Sequence, residues 1–153
     1  MAEYKDVEIM QNIPKVLEAD TETRQYLANS KYGFSSLVNL NTGQLPLCLY
    51  GINRFANDFK RYSAADQFIT HTYRMVFAAM GVNEMDTDVQ LLEMAVAAAL
   101  AFDKNYELLG AGANDARLIT GDFRDFQSDN GDIYATLSCI LEIDFFRNPI
   151  TGV

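Results

Sequence analysis

Residues 130–147 read Asn130-Gly131-Asp132-Ile133-Tyr134-Ala135-Thr136-Leu137-Ser138-Cys139-Ile140-Leu141-Glu142-Ile143-Asp144-Phe145-Phe146-Arg147. Ile133, Ala135, Leu137, Cys139, Leu141, Ile143 and Phe145 fall on one side of an extended chain. Tyr134, Thr136, Ser138, Glu142 and Asp144 fall on the other, the period of a strand with one face on a core. Asn130-Gly131 is the signal of a type I′ turn, whose two central residues need positive φ. The last third of the chain, from Ala116 to Arg147, is therefore expected to fold as a long β-hairpin. At ~3.3 Å per residue the run 132–146 would extend roughly 50 Å, so part of it is expected to project past the core.

Upstream, Asp86-Thr87-Asp88 precedes Leu91, Leu92, Ala95, Val96, Ala99 and Leu100. Apolar residues at i, i+1, i+4, i+5, i+8 and i+9 share one face only in an α-helix, so this segment is expected to be amphipathic, with those six residues inward. Its acidic start complements the helix dipole, and Gly110 and Gly112 mark its end or the loop beyond. Two earlier strands are expected. Pro46 opens the first, Leu47 to Ile52, and the second runs from Gln67 to about Met80 before Gly81. Between them, residues 53–66 follow neither period and read as a long connecting arm.

The first thirty residues are expected to be helical, since Val7, Met10, Ile13, Val16 and Leu17 recur at steps of three and four. Pro14 removes a helical donor, which predicts a kink or two short helices. Asp20 or Thr21 can cap a further turn carrying Tyr26 and Leu27. The fold class is thus α+β: an antiparallel four-stranded sheet with a long C-terminal β-hairpin, packed by an amphipathic helix and N-terminal helices.

Composition narrows the function. The chain has 153 residues, which favours a single domain over 1–153, and it is 49% hydrophobic, which excludes a disordered chain. A net charge of −9 argues against a surface that binds nucleic-acid phosphates. No apolar run approaches the length of a membrane span, and Met1-Ala2-Glu3-Tyr4-Lys5-Asp6 lacks the pattern of an export signal, so a cytoplasmic chain is expected. Cys48 and Cys139 lie far apart among apolar residues, where burial and inertness are expected.

The candidates for chemistry are weak. His71 is the only histidine, and its strand neighbours Thr70 and Thr72 face away from it, so no local spacing links it to a nucleophile. Asp122, Asp125, Asp129 and Asp132 suggest calcium, but aligning Gly131 with the glycine of a calcium loop puts Ser128 and Phe126 where carboxylates are required. Gly110-Ala111-Gly112 follows a helix instead of joining a strand to one, so it is not a dinucleotide fingerprint. No catalytic residue, metal ligand or cofactor is assigned. The arm is different: Arg54, Phe55, Phe59, Lys60, Arg61 and Tyr62 set cations beside aromatics in an acidic chain, a composition enriched at protein interfaces and also compatible with a solvated loop. Asp125, Asp129 and Asp132, near the hairpin tip, join these as candidate contact residues.

Leu45-Pro46-Leu47-Cys48-Leu49-Tyr50 and Ile133-Tyr134-Ala135-Thr136-Leu137-Ser138-Cys139-Ile140-Leu141-Glu142-Ile143-Asp144-Phe145, with the elements between them, resemble the first and closing strands of the tail terminator (tail completion) proteins of long-tailed bacteriophages. The resemblance spans residues 40–147 and is one of order and pattern, without a signature peptide. It implies a structural virion protein at the head-proximal end of the tail. Such a protein caps the tail tube as a hexameric ring, stops tube polymerisation and offers a joining surface to head-tail connector or neck proteins. The partners implied are other copies of the chain, the tail tube protein and the neck proteins, with no membrane. DNA passes through the lumen without specific binding, which negative walls would favour. Another neck or head-closure role, or an adaptor module outside any virion, is the alternative.

Overall fold

A computed structural model of the chain describes residues 4–26, 30–34, 42–53, 66–127 and 133–153. Among the described residues three α-helices, α1 (Lys5–Ala19), α2 (Thr21–Tyr26) and α3 (Glu84–Lys104), accompany five strands, β1 (Ser30–Tyr32), β2 (Leu47–Ile52), β3 (Gln67–Ala79), β4 (Asp115–Gln127) and β5 (Ile133–Arg147). The strands form one sheet in the order β1-β2-β3-β5-β4. β1 runs parallel to β2, and every other pair is antiparallel.

The protein is therefore α+β with a mixed sheet, and the expectation of four antiparallel strands is corrected. The added strand, Ser30-Lys31-Tyr32, is too short to show a period of two. Its place comes from tertiary pairing with Cys48-Leu49-Tyr50 and an edge-to-face contact of Tyr32 with Tyr50 at 5.7 Å between ring centroids. The expected overhang of the hairpin is corrected too. β3 is 13 residues long and pairs with β5 from Gln67 opposite Arg147 to Ala79 opposite Ala135, so the long strand has a partner along almost its whole length.

Alternation builds the core. On one face of the sheet Cys48 and Tyr50 of β2, Ile69, Tyr73, Met75 and Phe77 of β3, and Leu137, Leu141, Ile143 and Phe145 of β5 pack with Ile9, Ile13, Val16 and Leu17 of α1 and Leu91, Met94, Ala98 and Phe102 of α3. A smaller cluster of Leu47, Leu49, Val76, Ala78 and Tyr134, with Phe34 and Leu45 against it, occupies the opposite face. α1 continues through Pro14 as one helix, so of the expected kink or two short helices the second is corrected. Ile9, Ile13 and Val16 are fully buried on its inner side, and at about 1.5–3 kcal/mol each that burial offsets the ~3 kcal/mol that an interior proline costs. Asp20 separates α1 from α2 and accepts the Glu22 N–H at 3.1 Å, as expected of a cap.

Candidate interaction surfaces

α3 has more apolar residues than one face can hold, and this leaves an apolar stripe exposed on its surface. Leu91, Met94, Ala95, Ala98, Ala101 and Phe102 are buried. Val89, Leu92, Val96 and Leu100, spaced by three, four and four residues, form a second stripe that is 42%, 49%, 54% and 44% exposed. The expected single inward face is thus corrected: of Leu91-Leu92 and Ala95-Val96, only the first of each pair enters the core. At 100° per residue two adjacent positions cannot both point along one radius, and the small side chains at 95, 98 and 101 let the helix approach the sheet on their side.

The stripe continues on both flanks. Toward α2 it meets Tyr26 in a shallow depression rimmed by Glu22 and Glu93. Toward the sheet it meets Leu118, Ile119 and Phe123 of β4 across a groove floored by Leu137 and Cys139. A bulge between Ile119 and Gly121 interrupts the pairing with β5 here. Gly121 keeps the groove open, since a Cβ at that position would lie 2.6 Å from Cδ1 of Leu137. β4 is also the last strand on this side of the sheet, so its outer backbone groups carry no strand among the described residues. Contiguous exposed apolar surface beside a sheet edge is the physical mark of a contact site.

A second constellation joins three elements. On β3, His71 is 5% exposed; its Nε2 lies 2.8 Å from Oδ1 of Asp6 on α1, and its Nδ1 lies 3.0 Å from the Tyr73 hydroxyl. Arg147, at the end of β5, donates to the other Asp6 oxygen at 2.6 Å and to Gln67 at 3.0 Å. A neutral imidazole satisfies both neighbours if Nε2–H donates to Asp6 and Nδ1 accepts from Tyr73. Burial raises the Asp6 pKa, but the bonds from His71 and Arg147 outweigh it and hold the carboxyl below its ordinary 3.8. Burial pushes the Tyr73 phenol upward, so it stays a donor at neutral pH. Tyr73 lies two residues along the same strand face, whereas Asp6 reaches His71 by tertiary contact and, with Arg147, ties the start of α1 and the end of β5 to the middle of the sheet. The cleft beside them, about 530 Å³, runs along Tyr4, Met10, Ile52 and the turn at Asn148–Gly152.

Cys48 and Cys139 are both buried, as expected, and burial pushes their thiols up to about 12 and about 11. On the opposite face of the sheet Arg117 lies between Asp115, Glu142 and Asp144, and its bonds to Asp144 and Asp115 raise its pKa further. Among the described residues no group of three or more His, Cys, Asp or Glu side chains is placed to hold a metal ion, and no helix is long and apolar enough to cross a membrane. Of the residues singled out from sequence, Arg54, Phe55, Phe59, Lys60, Arg61, Tyr62, Asp129 and Asp132 lie outside the described residues. The backbone of Asp125 pairs with Ala135 near the end of β4. Leu92, Val96 and Leu100 were legible as helical but not as exposed, and Ile119 and Phe123 carried no signal at all. Compared with protein-family models and with curated proteins, the chain matches none.

Proposed function

We propose that the protein is a structural subunit of a phage virion that caps the tail tube as a hexameric ring, stops tube growth and presents a joining surface to the neck. The observation that carries this is the exposed apolar surface of α3 and β4, which asks for a protein partner. The order of elements, with four antiparallel strands closed by the β4–β5 hairpin, supports the resemblance on which the proposal began. The excess of nine negative charges suits a lumen through which DNA moves without adhering. Arg54, Phe55, Phe59, Lys60, Arg61 and Tyr62, with Asp125, Asp129 and Asp132, are proposed as contact residues toward neighbouring subunits, the tube protein or the neck.

Electron microscopy of purified protein mixed with tail tubes tests this directly. Density added at one end of each tube, with growth arrested there, is the expected result. In a phage that encodes the protein, deleting the gene is expected to give tails of uncontrolled length that fail to join heads; normal tails would eliminate the proposal. Labelled protein found at the head side of the neck would assign it to head closure instead, and a stable monomer that ignores tubes and heads would favour an adaptor outside the virion.

A further inference from the structure

Arg74 is on β3, paired with Gly51 of β2 on one side and Ile140 of β5 on the other. Its side chain is exposed, yet its guanidinium is oriented by two contacts. Nε donates to Oγ of Ser138 at 3.1 Å, and the group lies over the ring of Phe34, with Cζ 5.3 Å from the centroid. Gly51 makes room for that ring, since a Cβ there would lie 3.0 Å from Cε2 of Phe34. A free arginine loses rotamer entropy when it engages a ligand; here the stack and the Ser138 bond have already removed much of it.

These contacts leave the terminal nitrogens of the fork without a partner among the described residues, and none of the ion pairs formed there includes Arg74. Glu142, two residues beyond Ile140 on β5, is held instead by Arg117 at 2.6 Å, and Asp144 by the same arginine at 3.0 Å. Lys31 of β1 pairs with Leu49, which belongs to the cluster that includes Val76, two residues along the strand from Arg74. Lys31 therefore points to the same face of the sheet as Arg74; it is exposed and likewise absent from those ion pairs. In a chain with a net charge of −9, this face thus carries cations that no carboxylate has neutralised. Beside Arg74 lies a cleft of about 530 Å³ lined by Tyr32, Phe34, Ile52 and Asn53, with no acidic residue among its walls. That volume is within the range of small-molecule sites.

We propose that this cleft binds a carboxylate carried on an apolar or aromatic body, with the carboxylate on the terminal nitrogens of Arg74 and the body against Tyr32 and Phe34. A planar guanidinium meets a planar carboxylate through two parallel N–H···O bonds, a match that a lysine cannot make. The aromatic walls add contact that an inorganic anion has nothing to set against. A free organic acid or the C-terminal carboxylate of a peptide supplies the same chemistry. The proposal does not depend on the tail role, and either stands without the other.

Titration of the full ¹⁵N-labelled chain, read by NMR at Nε–Hε of Arg74 and at the amides of Tyr32 and Phe34, tests it. The probes are benzoate, N-acetylphenylalanine, N-acetylphenylalanine amide and inorganic phosphate. Both carboxylates are expected to give saturable shifts, with a Kd on the order of 1 mM for the tighter. The uncharged amide and phosphate should each bind at least about tenfold more weakly. Tighter binding of benzoate identifies a free acid as the source, and tighter binding of N-acetylphenylalanine a peptide terminus. Arg74→Gln should abolish the shifts at Tyr32 and Phe34, and Arg74→Lys, which keeps the charge and loses the fork, should weaken binding about tenfold. Arg124→Gln, at an exposed arginine of β4 outside this cleft, should leave it unchanged. Absence of saturable shifts with either carboxylate at ~20 mM overturns the proposal, as does undiminished binding by Arg74→Gln or equal binding of the amide. Phosphate binding as tightly as benzoate would overturn the role given to the aromatic walls.

Discussion

The side-chain amide of Asn12 donates to the backbone carbonyl of Leu108 at 2.8 Å, joining the middle of α1 to the turn that follows α3. The turn needs the anchor. Leu108 and Leu109 both adopt positive φ, 53° and 54°, a conformation that costs an L-residue with a side chain roughly 1–2 kcal/mol. Leu108 is fully buried, and its place in the core holds the turn in that conformation. Asn12 is itself buried, and Asn12→Ala removes one of two donors to that carbonyl, leaving the Ala111 N–H at 3.2 Å. The expected loss is about 0.5–1.5 kcal/mol, that of one hydrogen bond, which for a chain of this size lowers the melting temperature by roughly 2–4 °C per kcal/mol. A melt indistinguishable from wild type would show that water replaces the amide.

Leu91 and Leu92 are adjacent in sequence and lie in different environments, 0% and 49% exposed. Leu91→Ala is expected to cost about 2–5 kcal/mol through the cavity it leaves, whereas Leu92→Ala should stay within about 0.5 kcal/mol of wild type in the monomer. Chemical denaturation at low protein concentration, where subunit contacts contribute least, checks both. Equal losses would mean that α3 presents its other face to the sheet.

The same pair of residues explains what the sequence could and could not convey. Period-two alternation in β5 was legible because burial on the core face constrains every second residue, and the apolar run Leu47–Ile52 because both faces of β2 are buried. The direction in which α3 faces was not, because Leu91 and Leu92 are chemically identical and large apolar residues lie on both sides of the helix, Met94 and Phe102 toward the core and Val96 and Leu100 away from it. β1 was invisible for another reason: three residues paired in parallel with β2 owe their conformation to Tyr50 and the neighbouring strand, not to any pattern of their own. His71 shows the same limit at the level of a site. Tyr73 is its neighbour on the same face of the strand, but Asp6, 65 positions away, meets it only once α1 has docked on the sheet.

Asp6 gives the fold a dependence on acid. Its carboxyl is held below 3.8 in the folded chain, so its bonds to His71 and Arg147 stabilise fully above the unfolded value and are lost as pH falls through the lower folded one. Asp6→Asn should therefore destabilise by about 2 kcal/mol near neutrality, as expected for hydrogen bonds to charged partners. The gap from wild type should narrow once the pH drops below 3.8. Urea unfolding of the two proteins across the acid range reads this out. A gap that stays constant with pH would mean that Asp6 acts through shape alone.

Gly81 precedes α3 and is packed into its start. Its N–H donates to Oγ1 of Thr87 at 2.9 Å, the Val82 N–H to Oδ2 of Asp86 at 2.9 Å, and the Asp86 N–H to Oδ1 of Asn83 at 2.9 Å. The last of these satisfies a donor that the helix start would otherwise leave open, with Asn83 as the cap, and the first two fasten the preceding chain to the first turn. A Cβ at Gly81 would lie 2.7 Å from the backbone nitrogen of Thr87, which cannot move without shifting the first turn. Gly81→Ala should thus cost about 1–3 kcal/mol as an overpacking change, and Asn83→Ala about 1 kcal/mol as a lost cap. Both substitutions disturb the same turn, so the double variant should lose less than the two single effects combined. Melting of the three variants measures the coupling; strictly additive losses would mean that the Gly81 contact and the Asn83 cap act on α3 independently.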